Sequence, residues 1–338
     1  MTKAVTFVPF WTPSGSLVRR STSRSSTTSD RPDVRFLTGA AGRAVSVDVE
    51  EWYHSCWVPE YVDPSSRPPL EEELDRLLPL LLERFDRLAV RATFFVLGEV
   101  AERLPGRVRA IAEAGHEVAC HGRLHLRAGD SSVARFRADL ARARATLEQI
   151  VGRPVIGYRA PEWSLRHLSN PRLRAVAELG FAYDSSLMPA PGAGARENPR
   201  QPAALSWSGG PELVELPPLV WGGRLGLPAG GWCARCAPPT WLRRAAEASP
   251  FALFVVHPWE LVDRPVPGLY TGFARFFHDA GRRGWADRFE RIVAGLAGVR
   301  PLAEIVAGAR TVRAELPDTE PSTRSVERAL PAPLARPG

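Results

Sequence analysis

Along the chain, short apolar runs typical of strands alternate with longer segments whose apolar residues have helical spacing. Short runs rich in β-branched and aromatic residues, at 43–50 (RAVSVDVE) and 92–98 (ATFFVLG), predict strands. The apolar spacing of 70–90 predicts a helix that Pro79 interrupts, and the spacing of 132–152 predicts a long helix ending at a glycine C-cap. The other predicted strands are 116–120, 155–161, 181–186, 213–219 and 251–257, and the other predicted helices are 103–114 and 171–179.

Polar or charged residues stand at the ends of the successive predicted strands: Asp48, His121, Arg159, Asp184 and His257. Strands that alternate with helices favour a parallel sheet covered by helices, which makes this an α/β fold. A doubly wound sheet would carry a glycine-rich phosphate loop after its first strand, and this chain has none there. We therefore predict a (β/α) barrel, which places its active site at the C-terminal ends of the strands.

The two ends of the chain lack the alternation and define the predicted domain limits. Residues 1–34 are rich in Ser and Arg without the pattern of a secretory signal, which predicts a disordered leader and a cytoplasmic protein. Residues 311–338 are rich in Pro and charge, which predicts a disordered tail. The catalytic barrel is thus expected over 35–310. No run of 18 apolar residues occurs, so no integral membrane segment is expected.

Charge and cysteine content exclude several classes of protein. The formal charge is +7 in 338 residues, but the arginines are spread along the chain without a basic–aromatic pattern, so nucleic acid is not an expected partner. Four cysteines are too few for a disulfide framework at this length. Cys233 and Cys236 form a CxxC that lacks both the setting of a redox motif and two further zinc ligands, so no function is expected for them.

Histidines and carboxylates at three strand ends suggest metal chemistry. His121 and His125 are four residues apart, and Asp48 and Glu50 share one face of an extended strand. Two imidazoles and a carboxylate can hold a metal and leave positions open, although solvated loop histidines would give the same spacing. With His257 as an acid, the set suffices to hydrolyse an amide.

Four segments in this order, SVDVEEWYH, CHGRLH, GYRAPEW and FVVHPWEL, resemble the polysaccharide deacetylase family. This is carbohydrate esterase family 4, the chitooligosaccharide-deacetylase homology domain, and the resemblance covers about residues 44–305. The last segment and residues 276–293 are similar to the branch associated with bacterial exopolysaccharide gene clusters. The resemblance implies a distorted (β/α) barrel of about seven parallel strands.

The resemblance also implies catalytic and substrate-binding roles. It makes Asp48 the catalytic base, Arg159 the residue that orients this base, and His257 the general acid. It places Pro161 and Trp163 in the substrate-binding segment. The aspartate that usually accompanies the histidine acid has no clear counterpart in this chain.

The metal ligands implied by the resemblance are Glu50, His121 and His125. The expected metal is divalent, zinc first, with cobalt, nickel or iron as alternatives. The family's first motif commonly has adjacent aspartates, so Glu51 is a rival ligand here, although strand alternation favours Glu50. Gly122 replaces the Ser or Thr that usually follows the first histidine.

The function implied is removal of N-acetyl groups from an amino sugar in a polysaccharide, oligosaccharide or glycan precursor, by amide hydrolysis that releases acetate. Three alternatives remain open: a cyclic amidase acting on ureides, a deacetylase of a small or lipid-linked amino sugar, and a non-catalytic carbohydrate-binding barrel. The sequence leaves the oligomeric state undetermined.

Overall fold

The main feature of the chain is one large curled sheet, seen in a computed structural model that describes residues 31–55, 58, 65, 72–263 and 272–315. Within these residues the strands are β1 (Asp33–Phe36), β2 (Gly42–Val49), β3 (Thr93–Val96), β4 (Glu117–Cys120), β5 (Gly157–Tyr158), β6 (Tyr183–Asp184), β7 (Ala203–Ser206), β8 (Glu212–Glu215), β9 (Val220–Trp221), β10 (Leu227–Pro228) and β11 (Phe251–Val256). Nine of them form the sheet in the order β1-β7-β8-β6-β5-β4-β3-β2-β11, and β9 pairs with β10 separately.

Seven neighbouring strands of this sheet run parallel: β11, β2, β3, β4, β5, β6 and β8. Strands β7 and β1 extend the sheet by antiparallel pairing at one edge. Among the described residues no pairing joins β1 to β11, so the sheet is a curled half-barrel. The predicted α/β fold, a distorted barrel with about seven parallel strands, is confirmed.

Helices cover the outer face of the sheet, and one helix fills the end of the curl away from the strand C-termini. The described helices are α1 (Leu74–Arg87), α2 (Gly98–Arg103), α3 (Pro105–Glu113), α4 (Val133–Val151), α5 (Pro171–Glu178), α6 (Gly231–Cys236), α7 (Pro239–Glu247), α8 (Gly272–Asp279), α9 (Trp285–Ala294) and α10 (Leu302–Glu315). The first turn of α10 is fixed at the N-terminal ends of β3 and β4. There the Leu302 amide donates to Thr93 Oγ1 and the Ala303 amide donates to Glu117 Oε2.

Strand alternation decides which side chains face the inside of the curl. On β2, Val45, Val47 and Val49 belong to the large core under the outer helices. The intervening positions point inward, so Asp48 lies on the inner face, and extension of the same alternation carries Glu50 there. The same rule directs the residues that follow β4, β5 and β11 inward, which is how this sequence gathers its chemistry at one end of the sheet.

Helix α1 corrects one expectation, because it continues through Pro79. Proline lacks only the hydrogen bond to the carbonyl four residues earlier, which here is Asp75 in the first turn. The buried side of the helix, which includes Leu78 and Phe85, compensates for this loss through packing. Within the predicted range 70–90, the helix is therefore one unbroken element over Leu74–Arg87.

The predicted domain limits need correction at both ends. Strand β1 begins at Asp33, inside the predicted leader; its four residues are all exposed, so it lacks the apolar alternation that marks a strand. Helix α10 continues to Glu315, beyond the predicted limit at 310, because residues 311–315 (TVRAE) include good helix formers and precede Pro317. The rest of the predicted leader and tail, 1–30 and 316–338, lies outside the described residues.

Acidification is expected to destabilise the fold through His116. Burial, with Arg91 nearby, lowers the pKa of this imidazole from 6.5 to about 4, and its Nδ1 accepts a hydrogen bond from the Ala92 amide. Between about pH 4 and pH 6.5, His116 is protonated in the unfolded chain but neutral in the folded chain. The contribution of neutral His116 to the free energy of unfolding is therefore complete above pH 6.5. It is lost as the pH falls toward 4, at no more than about 1.4 kcal/mol per pH unit.

The measurement is urea denaturation at pH 7 and pH 5. We expect His116→Gln, which keeps an acceptor for the Ala92 amide but cannot titrate, to lose less stability between these pH values than the wild type. Equal losses in the two proteins would contradict this assignment.

Candidate active site and metal centre

Five predicted site residues lie together at the C-terminal ends of the parallel strands: Asp48, Glu50, His121, Arg159 and His257. They come from β2 and from the residues directly after β4, β5 and β11. Four of them are nearly inaccessible to solvent, while the His257 side chain retains 16% exposure. The arrangement therefore reaches solvent on the side of His257.

Glu50, His121 and His125 form the one group of metal-ligand type found among the described residues, with their ligand atoms within 4.8 Å of one another. Glu50 Oε2 lies 2.7 Å from His125 Nε2 and 3.6 Å from His121 Nε2. The loop after β4 returns His125 toward the sheet, and Gly122 begins it with a φ of 83° that few other residues adopt.

The hydrogen bonds around this group fit a metal ion. His121 Nδ1 lies 2.9 Å from the Arg159 carbonyl oxygen, which can only accept, so Nδ1 carries the proton and Nε2 presents its lone pair to Glu50. Glu50 Oε2 is buried and receives no well-directed hydrogen bond. A buried carboxylate oxygen and a fixed imidazole lone pair that converge in this way are the donor set of a zinc-type site.

Electrostatics within the group also favour a cation. Burial alone would raise the pKa of Glu50, but His125 and His257 hold the pKa of this carboxyl well below its ordinary value. Burial alone would lower the pKa of His125, but the Glu50 carboxylate raises this pKa above its ordinary value. The carboxylate thus stays ionised and attracts positive charge to the point where the ligand atoms meet.

Asp48 is held by Arg159 in a buried ion pair. Arg159 Nη1 donates to Asp48 Oδ1 at 2.6 Å and to Ser46 Oγ at 2.8 Å. Asp48 Oδ2 remains directed at His257, whose Nε2 is 4.0 Å away. Arg159 thus fixes the orientation of the Asp48 carboxylate through Oδ1 and leaves Oδ2 facing His257.

His257 has a carboxylate partner that we did not assign from the sequence. Glu260 Oε2 accepts hydrogen bonds from the His257 amide at 2.9 Å and from its Nδ1 at 3.1 Å. The 3₁₀ turn at Pro258–Leu261 brings these residues together, so the histidine–proline step followed by Glu260 was the available signal. Buried Arg235 donates in turn to Glu260 Oε1. Glu260 is thus the carboxylate partner of His257, and Nε2 of His257 faces the site.

Glu51 has a structural role that separates it from Glu50. Its carboxylate accepts hydrogen bonds from the amides of Glu73 and Leu74 at the start of α1, at 2.9 and 3.2 Å. Arg103 Nη2 also donates to it at 3.1 Å. Since Glu51 is turned toward a helix N-terminus, the ligand group contains Glu50, as strand alternation predicted.

Pro161 and Trp163 lie in a short turn directly after Arg159. Glu162 and Trp163 have φ values of 55° and 50°, which residues other than glycine rarely adopt. The turn is tied to the loop after His125, because the Ala128 amide donates to Ser164 Oγ. Pro161 is buried, and the half-buried Trp163 packs against the inner apolar cluster. Strained backbone beside an active site is a recurrent sign of a functional segment.

The CxxC cysteines lie on α6, where Cys233 is buried and Cys236 is exposed, both as free thiols. Neither belongs to a metal-ligand group among the described residues. The chemically relevant residue of this segment is Arg235 between them, since it supports Glu260.

Part of this chain is similar to a known protein family. Residues 71–183, about a third of the chain, match the family model of polysaccharide deacetylase. Over these residues the chain is similar to the polysaccharide deacetylase family. The matched segment contains His121, His125 and Arg159, whereas Asp48, Glu50 and His257 lie outside it.

Curated relatives match a similar part of the chain. The Peptidoglycan deacetylase of Helicobacter pylori is 30% identical over 111 residues, which cover 33% of this chain and 37% of that protein. The Peptidoglycan-N-acetylglucosamine deacetylase of Bacillus cereus is 27% identical over 114 residues, which cover 31% of this chain and 42% of that protein. The chain thus spans less than half the length of these relatives.

Crystal structures show the same fold over most of the chain. A Mycobacterium smegmatis protein assigned as a polysaccharide deacetylase aligns with a TM-score of 0.54 and 23% identity, covering 91% of this chain and 98% of that one. A Pseudomonas aeruginosa protein with the same assignment gives a TM-score of 0.53 and 17% identity, covering 81% and 92%. Among the described residues, no helix has the length and apolar content needed to cross a bilayer.

Metal binding is expected to distinguish Glu50 from Glu51. Glu50→Gln removes a ligand, so the affinity for Zn²⁺ should fall by more than the roughly 10–100-fold typical of losing an outer partner of a ligand. Glu51→Gln should retain zinc affinity and lose about 2 kcal/mol of folding stability, because an amide nitrogen meets the donors of α1. Calorimetric zinc titration and urea denaturation of both variants test this. Equal losses of zinc affinity would contradict the assignment of Glu50.

Proposed function

We propose that this chain is a metal-dependent N-deacetylase that hydrolyses the acetamide of an N-acetylated amino sugar in a polysaccharide, oligosaccharide or glycan precursor. The products would be acetate and a free amino sugar. The match of residues 71–183 to the polysaccharide deacetylase model supports deacetylation in general. The two relatives named as peptidoglycan deacetylases support an amino-sugar polymer as the substrate class.

One observation carries the proposal: a base and an acid converge beside the metal-ligand group. Asp48 Oδ2 and His257 Nε2 are 4.0 Å apart, and His257 Nε2 is 3.4 Å from Glu50 Oε1. Amide hydrolysis needs a group that takes a proton from water and a group that gives one to the departing nitrogen. Asp48 and His257 are our candidates for these two groups, and they lie next to the proposed metal ligands.

Glu50, His121 and His125 would hold the metal, for which zinc is our first candidate because the ligand set is two imidazoles and one carboxylate. When bound, such an ion polarises a carbonyl group and lowers the pKa of water toward about 7. Arg159 keeps Oδ1 of Asp48 occupied, so Oδ2 accepts the proton of the attacking water.

His257 protonates the leaving amine through Nε2. Glu260 fixes this orientation by accepting from Nδ1, and its negative charge stabilises the imidazolium form. Burial lowers the pKa of His257, while Glu50 and Asp48 act in the opposite direction. We assign Pro161 and Trp163 to substrate binding, since their strained turn directly follows Arg159.

Loss of either proton-transfer group should abolish most activity. With Zn²⁺ supplied, we expect acetate release from N-acetylglucosamine oligomers or from N-acetylated peptidoglycan fragments. Asp48→Asn and His257→Gln should each lower kcat by about 100-fold or more, the usual contribution of general acid–base catalysis. Asp75→Asn, at an exposed position on α1, is the matched control and should behave as wild type.

The same assay separates the alternatives. Ring opening of cyclic ureides to linear ureido acids, without acetate release from sugars, would make the protein a cyclic amidase. Acetate release restricted to monosaccharides or lipid-linked sugars would narrow the substrate class. Undiminished acetate release by Asp48→Asn would contradict the proposed mechanism, and a wild type that binds no metal and releases no acetate would leave a carbohydrate-binding barrel.

A further inference from the structure

Two carboxyl groups lie side by side in the protein interior, outside the site described above. Asp184 ends β6 and Glu215 ends β8, and the two residues are in register on neighbouring parallel strands. Both have no solvent exposure. Side chains in register on adjacent strands point to the same face, so the two acids share one buried space.

This space is on the helix side of the sheet. Tyr183 and Val214, the preceding residues, belong to the inner apolar cluster, so alternation turns Asp184 and Glu215 outward. Tyr158 and Leu213 on the neighbouring strands contribute to the apolar core on that side. The pair is therefore surrounded by apolar layers on the side away from the proposed metal site.

The charges around the pair cannot support two ionised carboxylates. The side-chain nitrogens of Arg159, the nearby cation, donate to Asp48, Ser46 and Ser185. Burial raises the pKa of Glu215 well above its ordinary value, with the Asp184 charge adding to it, and burial also raises the pKa of Asp184. Two adjacent carboxyl groups without a counter-ion retain one proton between them.

The hydrogen bonds of the pair indicate which carboxyl oxygen carries this proton. Glu215 Oε1 accepts from the Leu187 amide at 3.1 Å, whereas Oε2 is buried and no described group donates to it. Asp184 already accepts from Ser186 twice, from the amide at 3.2 Å and from the hydroxyl at 2.5 Å. A proton on Glu215 Oε2, donated to Asp184, satisfies the unpartnered oxygen and leaves Asp184 as the acceptor.

The turn that Asp184 stabilises fixes the position of Arg159. Ser186 Oγ accepts from the Ala160 amide at 2.8 Å, which fixes the backbone next to the arginine. The intervening Ser185 accepts from Arg159 Nε through its carbonyl at 3.2 Å and from Nη2 through its hydroxyl at 3.0 Å. The remaining nitrogen, Nη1, is the one that donates to Asp48.

We propose that Asp184 and Glu215 share a single proton and act as a positioning pair for Asp48, by holding the 184–187 turn that orients Arg159. The positioning role rests on the proposed function, because Asp48 is assigned as the base there. The shared proton does not, since it follows from burial and hydrogen bonding alone. The two acids lie on the outer face of the sheet, opposite the proposed metal ligands, and act through Ser185 and Ser186.

The shared proton is tested by infrared spectroscopy in D₂O at neutral pH, which is independent of activity. We expect the wild-type minus Glu215→Gln difference spectrum to contain the C=O stretch of a protonated carboxylic acid. Glu212→Gln, at the other end of β8, is the matched control and should give no such band. Absence of the band for Glu215→Gln would overturn the proposal.

The positioning role is tested by acetate release at saturating zinc. Asp184 accepts from three donors, and Asp184→Asn replaces one of its acceptor oxygens with an amide group that donates. We expect this change to misplace Arg159 and Asp48 slightly. Because small misplacements of catalytic groups slow the reaction, kcat should fall by roughly 10-fold or more while KM changes little. Glu215→Leu should lose kcat similarly, whereas Glu215→Gln, which still donates to Asp184, should restore most of it. Ser185→Ala is a second route to the same loss if Asp184→Asn does not fold.

The outcomes distinguish the two proposals. Wild-type protein without acetate release would refute the proposed function, and the infrared band would still decide whether the proton is shared. Active wild type with an unchanged kcat in Asp184→Asn and Ser185→Ala would overturn the positioning role. A loss in Glu215→Gln as large as that in Glu215→Leu would also overturn it, because the conservative variant keeps the hydrogen bond.

Discussion

The arrangement at the strand ends depends on the buried guanidinium of Arg159. An arginine removed from water is stable only when its charge is balanced and its donors are bonded. Here Asp48 balances the charge, and Ser46 and Ser185 accept from the donors. The Phe95 ring lies 4.1 Å from the guanidinium carbon and completes the enclosure. Because these partners come from β2, β3 and the turn after β6, satisfying one charge fixes the relative positions of three separate parts of the sheet.

The same arginine links the proposed base to the proposed metal site. Its carbonyl oxygen accepts from His121 Nδ1 and so sets the direction of the imidazole lone pair, while its side chain sets the direction of the Asp48 carboxylate. One residue thus determines two orientations through two different groups. Arg159, at the end of β5, therefore controls the orientation of groups carried by β2 and by the end of β4.

Much of the fold and site could be predicted because it follows from local periodicity. Alternation along β2 and at the ends of β4 and β11 was sufficient to place Asp48, Glu50, His121 and His257 on one face, and it separated Glu50 from Glu51. Glu260 was missed as the partner of His257 because the contact depends on a 3₁₀ turn, which has no apolar signature. The pairing of Asp184 with Glu215 depends on the register of β6 and β8, which a single sequence does not encode locally. Strand β1 was missed because edge pairing by exposed residues leaves no periodic pattern.

The neighbours β2 and β11 are parallel partners in the sheet although about two hundred residues separate them along the chain. Contacts at this separation carry a large loop-closure entropy and form late in folding. The residues expected to bind metal are carried by β2 and the β4 loop, whereas the expected acid arrives only with β11. In a nascent or partly folded chain, the proposed metal ligands can therefore come together before the proposed acid joins them.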